Sequence, residues 1–407
     1  SSRGRPPPRV VVKRRPKDRK AQIARASADA FSALGYHTVG MDNIAAAVGI
    51  SAPALYRHAS NKYELFRDAV LCLGQQLVDA TVFADAASAD ADPAALLDAL
   101  VSALIDTTIA NRTAGGLYRW EARYLCEDDQ SLLAEQVKLV NRRLQRPLLH
   151  RRPALTPRER WTASTAALSI IGSITDHRAR LPVGEIRSVL ADLAGAALAA
   201  DLPTGAPPPP DPTPLETGRR ETLMRASMLL FHQRGYRETS MEDIAVAAGM
   251  PVSGIYRHFA GKAELLAASY RRAAQRVSED LADVLAAEQD PRQALLRLIP
   301  AYVARSFDDP ELAYVYYTER ANLPPGDQAI LRRIQRSTVE SWVQLLVGAR
   351  PELTAGRARF AVHAAFAVVV DLGRLVHYDN SAESRANVGA MMTVTLLGPS
   401  AAACMPS

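Results

Sequence analysis

The sequence predicts an all-α protein built from two similar halves. Alanine and leucine dominate its 407 residues, aromatic residues make up only 6%, and β-branched residues alternating with polar ones are rare. Alanine and leucine lose little on entering a helix, so this balance favours helices over strands. A chain of this length has room for two to four domains of about 100–200 residues each.

An internal repeat is the strongest signal in the chain. Residues 19–66 align with residues 219–266 without a gap, and eighteen of the 48 positions are identical. The identities include Gly35-Tyr36 against Gly235-Tyr236 and the run YRH at 56–58 against 256–258. Chance matches in an alanine-rich chain would be mostly alanine, so shared Gly, Tyr, His and Lys positions indicate a duplicated unit.

Each repeat has the pattern of three short helices and the start of a fourth. In the first copy, helical spacing of apolar residues predicts a helix that stops at Gly35, a second over about Met41–Val48 and a third over about Ala52–His58. In the second copy, Ser240 is the expected N-cap of the second helix. The second and third helices are joined at Gly49 in a tight turn, which is the arrangement of a helix-turn-helix.

The two runs MDNIAAAVGISAPALYRHASNKYELF and MEDIAVAAGMPVSGIYRHFAGKAELL resemble the DNA-binding domain of TetR-family repressors. The shared pattern is an Ile-Ala pair on the second helix, a Gly turn, a Tyr on the third helix, and Lys-x-x-Leu opening the fourth. The resemblance implies that each unit continues into a helical ligand-binding and dimerisation body. Because one chain holds two units, it also implies an intramolecular pseudo-dimer in which the second body packs on the first.

The chain therefore divides into six predicted segments. These are a basic disordered arm (1–17), a first DNA-binding domain (18–80), a first regulatory body (81–202), a Pro-rich linker (203–215), a second DNA-binding domain (216–276) and a second regulatory body (277–407). Seven prolines between Pro203 and Pro214 favour an extended, semi-rigid linker. Two long apolar helices are expected late in each body, at about 156–180 and 185–200 and at about 354–379 and 382–398.

Charge is concentrated at one end of the chain. The formal net charge is +6, and residues 1–67 hold thirteen Lys and Arg against four Asp and Glu. A concentrated basic end indicates nucleic acid or an anionic membrane surface as a partner. The basic residues before the first module are either a solvated tail or an arm that follows phosphates or enters the minor groove, and the sequence leaves both open.

The third helix of each module supplies the candidate base contacts, since that helix enters the major groove. Its first residues differ completely between the copies while the surrounding scaffold is kept. They are Ser51, Ala52 and Ala54 in the first copy and Pro251, Val252 and Ser253 in the second. We therefore expect the two modules to read different half-sites, so that the operator is poorly palindromic.

The remaining DNA-binding candidates are polar or basic residues around these helices. From the family pattern, phosphate contacts are implied for Tyr56, His58, Lys62, Tyr256, His258 and Lys262. Arg57 and Arg257 reach either a guanine edge or a phosphate, and a tyrosine in such a module is also often plain core. Further candidates are Arg14, Arg15 and Lys17 in the arm, Arg219 and Arg220 before the second module, and Ser240.

The resemblance also implies an effector pocket in each body. Candidate lining residues are Leu117, Trp120, Tyr124 and Trp161 in the first body and Tyr302, Tyr314, Tyr317 and Phe366 in the second. Such walls suit an apolar effector, lipid-like or sterol-like. Aromatic residues at helical spacing are, however, more often plain core, and that alternative stays open.

The sequence carries no recognisable enzyme or metal motif. It has no Gly-rich phosphate loop, no HExxH and no GxSxG, so we expect no catalytic residue, no cofactor and no metal site. Cys72, Cys126 and Cys404 are too widely spaced for a disulfide framework, which fits the reducing cytoplasm. No uninterrupted apolar stretch of about 18 residues predicts a transmembrane helix.

These observations predict a transcriptional regulator whose partners are double-stranded operator DNA and a small apolar effector. We expect a repressor that binds an asymmetric operator and is released by that effector, acting as a monomeric pseudo-dimer. The alternative is a constitutive DNA-binding or architectural protein that has no effector control. Thermal melting against small molecules separates the two, because a ligand that binds only the folded protein raises its melting temperature.

Overall fold

The computed structural model describes residues 16–88, 90–203 and 218–399. Within these ranges the chain forms α-helices and a few short 3₁₀ segments and no β-strand, which confirms the all-α prediction. The predicted arm before residue 16 and the linker residues 204–217 lie outside the described residues.

In the part of the chain that the structure describes, the two units have the same order of nine helices. The first unit contains α1 (Pro16–Leu34), α2 (Met41–Val48), α3 (Ala52–Leu55), α4 (Lys62–Ala80), α5 (Pro93–Ala110), α6 (Leu117–Trp120), α7 (Glu127–Arg151), α8 (Pro157–Gly172) and α9 (Val183–Ala199). The second contains α10 (Arg219–Arg234), α11 (Met241–Ala247), α12 (Val252–Ile255), α13 (Lys262–Ala287), α14 (Pro291–Asp308), α15 (Pro310–Glu319), α16 (Pro325–Ala349), α17 (Ala355–Leu375) and α18 (Ala382–Leu397).

Two of the predicted helices are shorter than expected. The third helix of the first module ends at Leu55 rather than His58, and the chain turns at Tyr56. The helix expected over 156–180 ends at Gly172 and continues as a 3₁₀ turn to Thr175. By contrast, α2 has the bounds that the sequence predicted.

Each DNA-binding domain has a small core of its own. Phe31, Ile44, Leu55 and Phe66 are fully buried in the first, and their counterparts Phe231, Ile244, Ile255 and Leu266 are buried in the second. Glycines in the left-handed conformation, with φ of 71° at 49 and 65° at 249, make the turns between the two helices of each module. Only glycine adopts this conformation at little cost, so the turn is set locally by the sequence.

The bodies share one continuous apolar core. Helices α8 and α9 of the first unit pack against α17 and α18 of the second. Ile170, Leu190, Val368 and Val394, one from each of these helices, are completely buried. The last two helices of each body therefore meet as the pseudo-dimer interpretation expects, and the chain connects the two halves covalently.

Among the described residues, one helix is long and apolar enough to cross a membrane by length and composition alone. This helix is α5, and the sequence analysis had not singled it out. It buries Leu97, Leu100 and Leu104 against the neighbouring helices of the first body. In the described part of the chain, 28% of this helix is buried.

Candidate nucleic-acid interface

The first residues of the two recognition helices, 51–54 at α3 and 251–254 at α12, are here called the recognition heads. Each head lies at the surface next to a buried residue of the same helix. Ser51 caps α3, its Oγ accepting a hydrogen bond from the backbone N–H of Ala54 at 3.3 Å. Leu55 and Ile255 are fully buried and hold the two helices on their domains. Residues 51, 53, 251 and 253 are exposed, whereas Ala52 and Val252 are half-buried and pack against the cores of their domains.

One exposed tyrosine extends each of these surfaces. Tyr56 is 53% exposed and Tyr256 is 55% exposed, so the plain-core alternative does not hold for either ring. Arg57 and Arg257 follow them and are exposed as well. Large aromatic side chains are usually buried, so a matched pair of exposed tyrosines beside two basic residues is typical of a surface that another molecule covers.

The lysines at the starts of α4 and α13 have a partner within the protein. Lys62 Nζ donates to the carbonyl of Tyr36 at 2.9 Å and lies 4.6 Å above the centre of its ring. Lys262 repeats both contacts on Tyr236, at 2.8 Å and 4.6 Å. Burial lowers the pKa of both ammonium groups. Each lysine therefore secures the loop after the first helix, a role that the sequence analysis did not assign.

The other predicted DNA-binding residues differ in their exposure and in their partners within the protein. His58 is exposed and His258 is half-buried. Ser240 is the N-cap of α11 as predicted, its Oγ accepting from Asp243 N–H at 3.0 Å. Arg220 donates to the carbonyl of His258 at 3.1 Å, whereas Arg219 is exposed. Arg14 and Arg15 lie outside the described residues, and Lys17 lies in α1 with its side chain undescribed.

The two DNA-binding domains touch each other through equivalent loops. Arg237 Nη2 donates to Thr38 Oγ1 at 3.4 Å, which joins the loop after α10 to the loop after α1. The charge of Arg237, together with burial, lowers the pKa of His37 beside it. The recognition surfaces therefore belong to one assembly of two adjacent domains.

Comparison with known proteins identifies the repeated module. The family described as bacterial regulatory proteins, tetR family, matches residues 23–69 and again residues 223–269. The chain carries two DNA-binding modules of this family's type. The repeat, the helix-turn-helix geometry and the family match coincide on the same residues in both halves.

Similar proteins include named regulators of transcription. The repressor KstR2 of Rhodococcus jostii is 33% identical over 93 residues, which is 23% of this chain and 46% of that protein. The activator FasR of Mycolicibacterium smegmatis is 46% identical over 54 residues, 13% of this chain and 25% of that protein. The chain thus spans less than half the length of these curated relatives.

A solved structure, the ketosteroid transcriptional regulator KstR2 of Mycobacterium tuberculosis, is similar over 45% of this chain and 94% of its own. Its TM-score is 0.40 and its sequence identity is 22%.

The predicted effector-pocket residues of the two bodies make packed contacts with other side chains. Trp120 stacks on Tyr317 across the two units with 4.2 Å between ring centroids. Tyr302 stacks on Phe366 at 4.7 Å within the second body. The remaining candidates are also dispersed: Leu117 joins the core of the first DNA-binding domain, Tyr124 stacks on Tyr36, Tyr314 donates to the carbonyl of Trp120, and Trp161 is half-buried on α8.

A cleft lies instead at the junction of the first DNA-binding domain with its body. It measures about 580 Å³ and is lined by α1, α4 and the end of α5 with the turn that follows. Its walls combine small alanines with the polar side chains of Gln22, Gln76 and Asn111. This site was not predictable from the sequence, because its polar residues are separated along the chain and resemble an ordinary solvated surface.

The equivalent cleft of the second unit is nearly closed, at about 50 Å³. Met224 and Met228 stand there where the first unit has Ala24 and Ala28. An ion pair between Arg276 and Glu221, 2.8 Å long, also crosses it. The two units therefore differ at this junction as well as at their recognition helices.

Among the described residues, no group of His, Cys, Asp or Glu is arranged to hold a metal ion.

Proposed function

We propose that this protein is a sequence-specific regulator of transcription that reads an asymmetric operator with two different recognition helices. The observation that carries the proposal is the pair of exposed heads, SAPA at 51–54 and PVSG at 251–254, on otherwise matching scaffolds. Different side chains at the groove present different donors, acceptors and methyl groups to the base edges. Equal half-sites would not require the two heads to differ.

The covalent linkage of two DNA-binding modules in one chain favours binding of the second module once the first is bound. Once one helix is in the major groove, the second is held near its own half-site, so its binding is effectively intramolecular. Two readers on one face of B-DNA meet major grooves about 34–36 Å apart. We infer that the cytoplasm, which holds bacterial DNA, is where the protein acts, and that it acts as a pseudo-dimer.

Footprinting on the DNA upstream of its own coding region, followed by gel shifts, tests the proposal. Perfect palindromes of each half-site are compared with the natural site. We expect the natural site to bind more tightly than either palindrome, because each palindrome mismatches one head. Tighter binding to a palindrome would contradict two different readers, and equal binding to random DNA would contradict sequence-specific regulation.

The sign of regulation follows from where the site lies. Repression is the simplest consequence of a protein that covers operator DNA, whereas the names of the two curated relatives include both a repressor and an activator. A reporter fused to the footprinted region should become more active when the gene is deleted. A reporter that loses activity would identify an activator.

We also propose effector control through the first junction cleft. At about 580 Å³ it has the size of a small-molecule site. It lies between the DNA-binding domain and the body, so a ligand there would change the angle of the recognition helix. Its polar and charged lining, which includes Gln22, Arg25 and Asp29, suits a polar ligand rather than the lipid-like effector that the sequence suggested.

Cys72 lines this cleft and offers a test without knowledge of the natural ligand. In a Cys126→Ser, Cys404→Ser variant, iodoacetamide adds a small amide to Cys72 alone. We expect operator affinity to fall about tenfold, which corresponds to about 1.4 kcal/mol. The matched control is a Cys72→Ser, Cys404→Ser variant labelled at the exposed Cys126. Unchanged affinity after complete labelling of Cys72 would leave the protein a constitutive DNA binder.

A further inference from the structure

We propose that the buried pair Arg123–Glu319 is a positioning element that fixes the distance between the two DNA-binding domains and thereby determines which half-site spacing the protein accepts. The inference rests on the proposed DNA-reading function and adds a specificity that neither recognition helix supplies. We call the pair and its contacts on the two loops the Arg123–Glu319 brace.

In the second unit, the carboxylate of Glu319 contacts both the first body and the second DNA-binding domain. Glu319 Oε1 accepts a hydrogen bond from Arg123 Nη2, which comes from the first body. The same oxygen accepts from the backbone N–H of Tyr236, in the loop after α10, at 3.0 Å. The second DNA-binding domain is therefore held through its backbone to a side chain of the first unit.

On the side of the first unit, the contact runs through an aromatic ring. Arg123 Nη2 also donates to the hydroxyl of Tyr124 at 2.7 Å, and the guanidinium lies 4.7 Å from the centre of that ring. Tyr124 stacks on Tyr36 at 5.2 Å and meets the edge of His37 at 4.8 Å. Tyr36 and Tyr236 hold the same position in the repeat, so the brace connects equivalent loops of the two domains.

Within the described residues, the brace occurs once and is not repeated in the equivalent position of the other unit. Aligning Leu125 with Leu323, which follow the same turn in each unit, places Glu121 opposite Glu319 and Ala321 opposite Arg123. A two-fold symmetric interface would carry two such pairs. One arginine thus sets an unsymmetrical relation between the two readers, in line with their different heads.

Burial makes the brace a device for position more than for stability. The side chains of Arg123 and Glu319 are only 15% and 4% exposed. Two nitrogens of Arg123, Nε and Nη1, are buried without a hydrogen-bond partner in the described part of the chain. Desolvation with incomplete hydrogen bonding offsets much of the attraction, whereas a single allowed geometry is kept.

Fixed geometry has a direct consequence on DNA. Adding one base pair between half-sites moves them about 3.4 Å apart and rotates one about 35° around the helix axis. A rigid pair of readers then loses one half-site, while a loosely joined pair adjusts. Spacing selectivity is therefore the property that the brace controls, and affinity for each half-site is not.

The experiment measures binding to the natural operator and to versions with one base pair inserted or removed between its half-sites. For the wild type we expect affinity to fall about tenfold or more, as with loss of a half-site contact set. Arg123→Gln and the isosteric Glu319→Gln should reduce that loss to about threefold or less, with unchanged binding to an isolated half-site. Arg123→Lys should restore part of the selectivity.

The matched control is Arg357→Gln. Arg357 also pairs across the units, with Glu185 at 2.8 Å and Asp192 at 2.7 Å, but it lies on α17 in the body interface. We expect this variant to keep the spacing profile of the wild type. An unchanged profile in Glu319→Gln would overturn the inference and leave the proposed function intact. A wild type that does not distinguish operator from random DNA would instead overturn the proposed function.

A distance measurement keeps the test independent of DNA binding and of folding defects. Spin labels at Ser60→Cys and Ala260→Cys, exposed positions before α4 and α13, report the separation of the two domains in a background without native cysteines. A narrow distribution in the wild type and a broad one in Glu319→Gln would support the brace. Equal widths in proteins with equal melting temperatures would contradict it.

Discussion

His177 and His363 stack face to face across the interface between the two bodies, with 4.0 Å between ring centroids and 9° between ring planes. His177 Nδ1 accepts a hydrogen bond from Ala179 N–H at 3.2 Å, so its ring is neutral here. Burial lowers the pKa of His363 to about 4 and the pKa of His177 well below its ordinary value. Nearby guanidinium groups of Arg112, Arg178 and Arg359 act in the same direction, and the carboxylate of Glu340 opposes them.

This pair predicts a loss of stability in mild acid. In the unfolded chain each ring binds a proton near pH 6.5, whereas folded His363 does so only near pH 4. The unfolded state therefore binds more protons between these values, and the free energy of unfolding falls as the pH drops through them. The contribution is fully present above about pH 6.5. Urea unfolding across this range measures the fall.

A substitution isolates the contribution of the pair. His363→Phe keeps an aromatic ring beside His177 and removes one titrating group, so the unfolding free energy should depend less steeply on pH. The control is His150→Phe at an exposed position on α7, which should leave the slope as it is. An equally steep slope in His363→Phe would place the acid sensitivity elsewhere.

Glu121 predicts the opposite trend in stability over a largely overlapping pH range. Burial raises its pKa to about 7, with Glu319 adding to the rise and Arg123 opposing it. The folded protein then binds the proton that the unfolded chain has already released above about pH 4.5. Its contribution is full below that value and is lost as the pH rises towards 7.

Glu121→Gln keeps the shape of the protonated acid and removes this loss. We expect a higher melting temperature than the wild type at pH 8 and little difference at pH 5. Calorimetry at both pH values checks it, with Glu238→Gln at an exposed site as the control. A variant that is less stable than the wild type at pH 8 would show that the ionised carboxylate is needed.

Substitution of the lysines at the starts of α4 and α13 should affect stability and DNA binding differently. Lys62→Gln removes a charged donor from the carbonyl of Tyr36, which should lower the unfolding free energy by about 1–2 kcal/mol. Since its ammonium group is directed at the loop, the salt dependence of DNA binding should change little. Arg57→Gln, at an exposed position, should instead leave stability unchanged and reduce the salt slope by about one if Arg57 contacts a phosphate. A reduced slope in Lys62→Gln would restore the phosphate contact that its sequence position suggested.

Local features of the fold were predictable from the sequence because their causes are local. The turn at Gly49 needs a left-handed residue, and the cap at Ser240 needs a short hydroxyl side chain in front of a helix. The glycine turn recurs 200 residues later at Gly249, whereas the counterpart of Ser240 is Gly40, which has no capping side chain. The heads at 51–54 and 251–254 were found by comparing the two copies.

Contacts between the units could not be read from the sequence. Arg123 and Glu319 are 196 residues apart and neither lies in the repeated motif. The carbonyls held by Lys62 are likewise 25 and 26 residues away. Such pairs depend on how helices pack, which residue spacing along one helix does not report. The aromatic residues predicted to line a pocket instead pack against other side chains, as Trp120 does on Tyr317.

Exchange of the recognition heads is the most direct prediction for the DNA-binding surface. Replacing Ser51, Ala52, Pro53 and Ala54 by Pro, Val, Ser and Gly gives the first unit the head of the second, while Leu55 still anchors α3 in the core. The exchanged protein should prefer a palindrome of the second half-site over the natural operator. Each mismatched base pair costs about 1–3 kcal/mol, so a reversal of at least about tenfold is expected in gel shifts. The reciprocal exchange at 251–254 is the matched control and should favour the palindrome of the first half-site. If both exchanged proteins kept the natural preference, base recognition would reside outside these heads, in Tyr56, Arg57 and their counterparts.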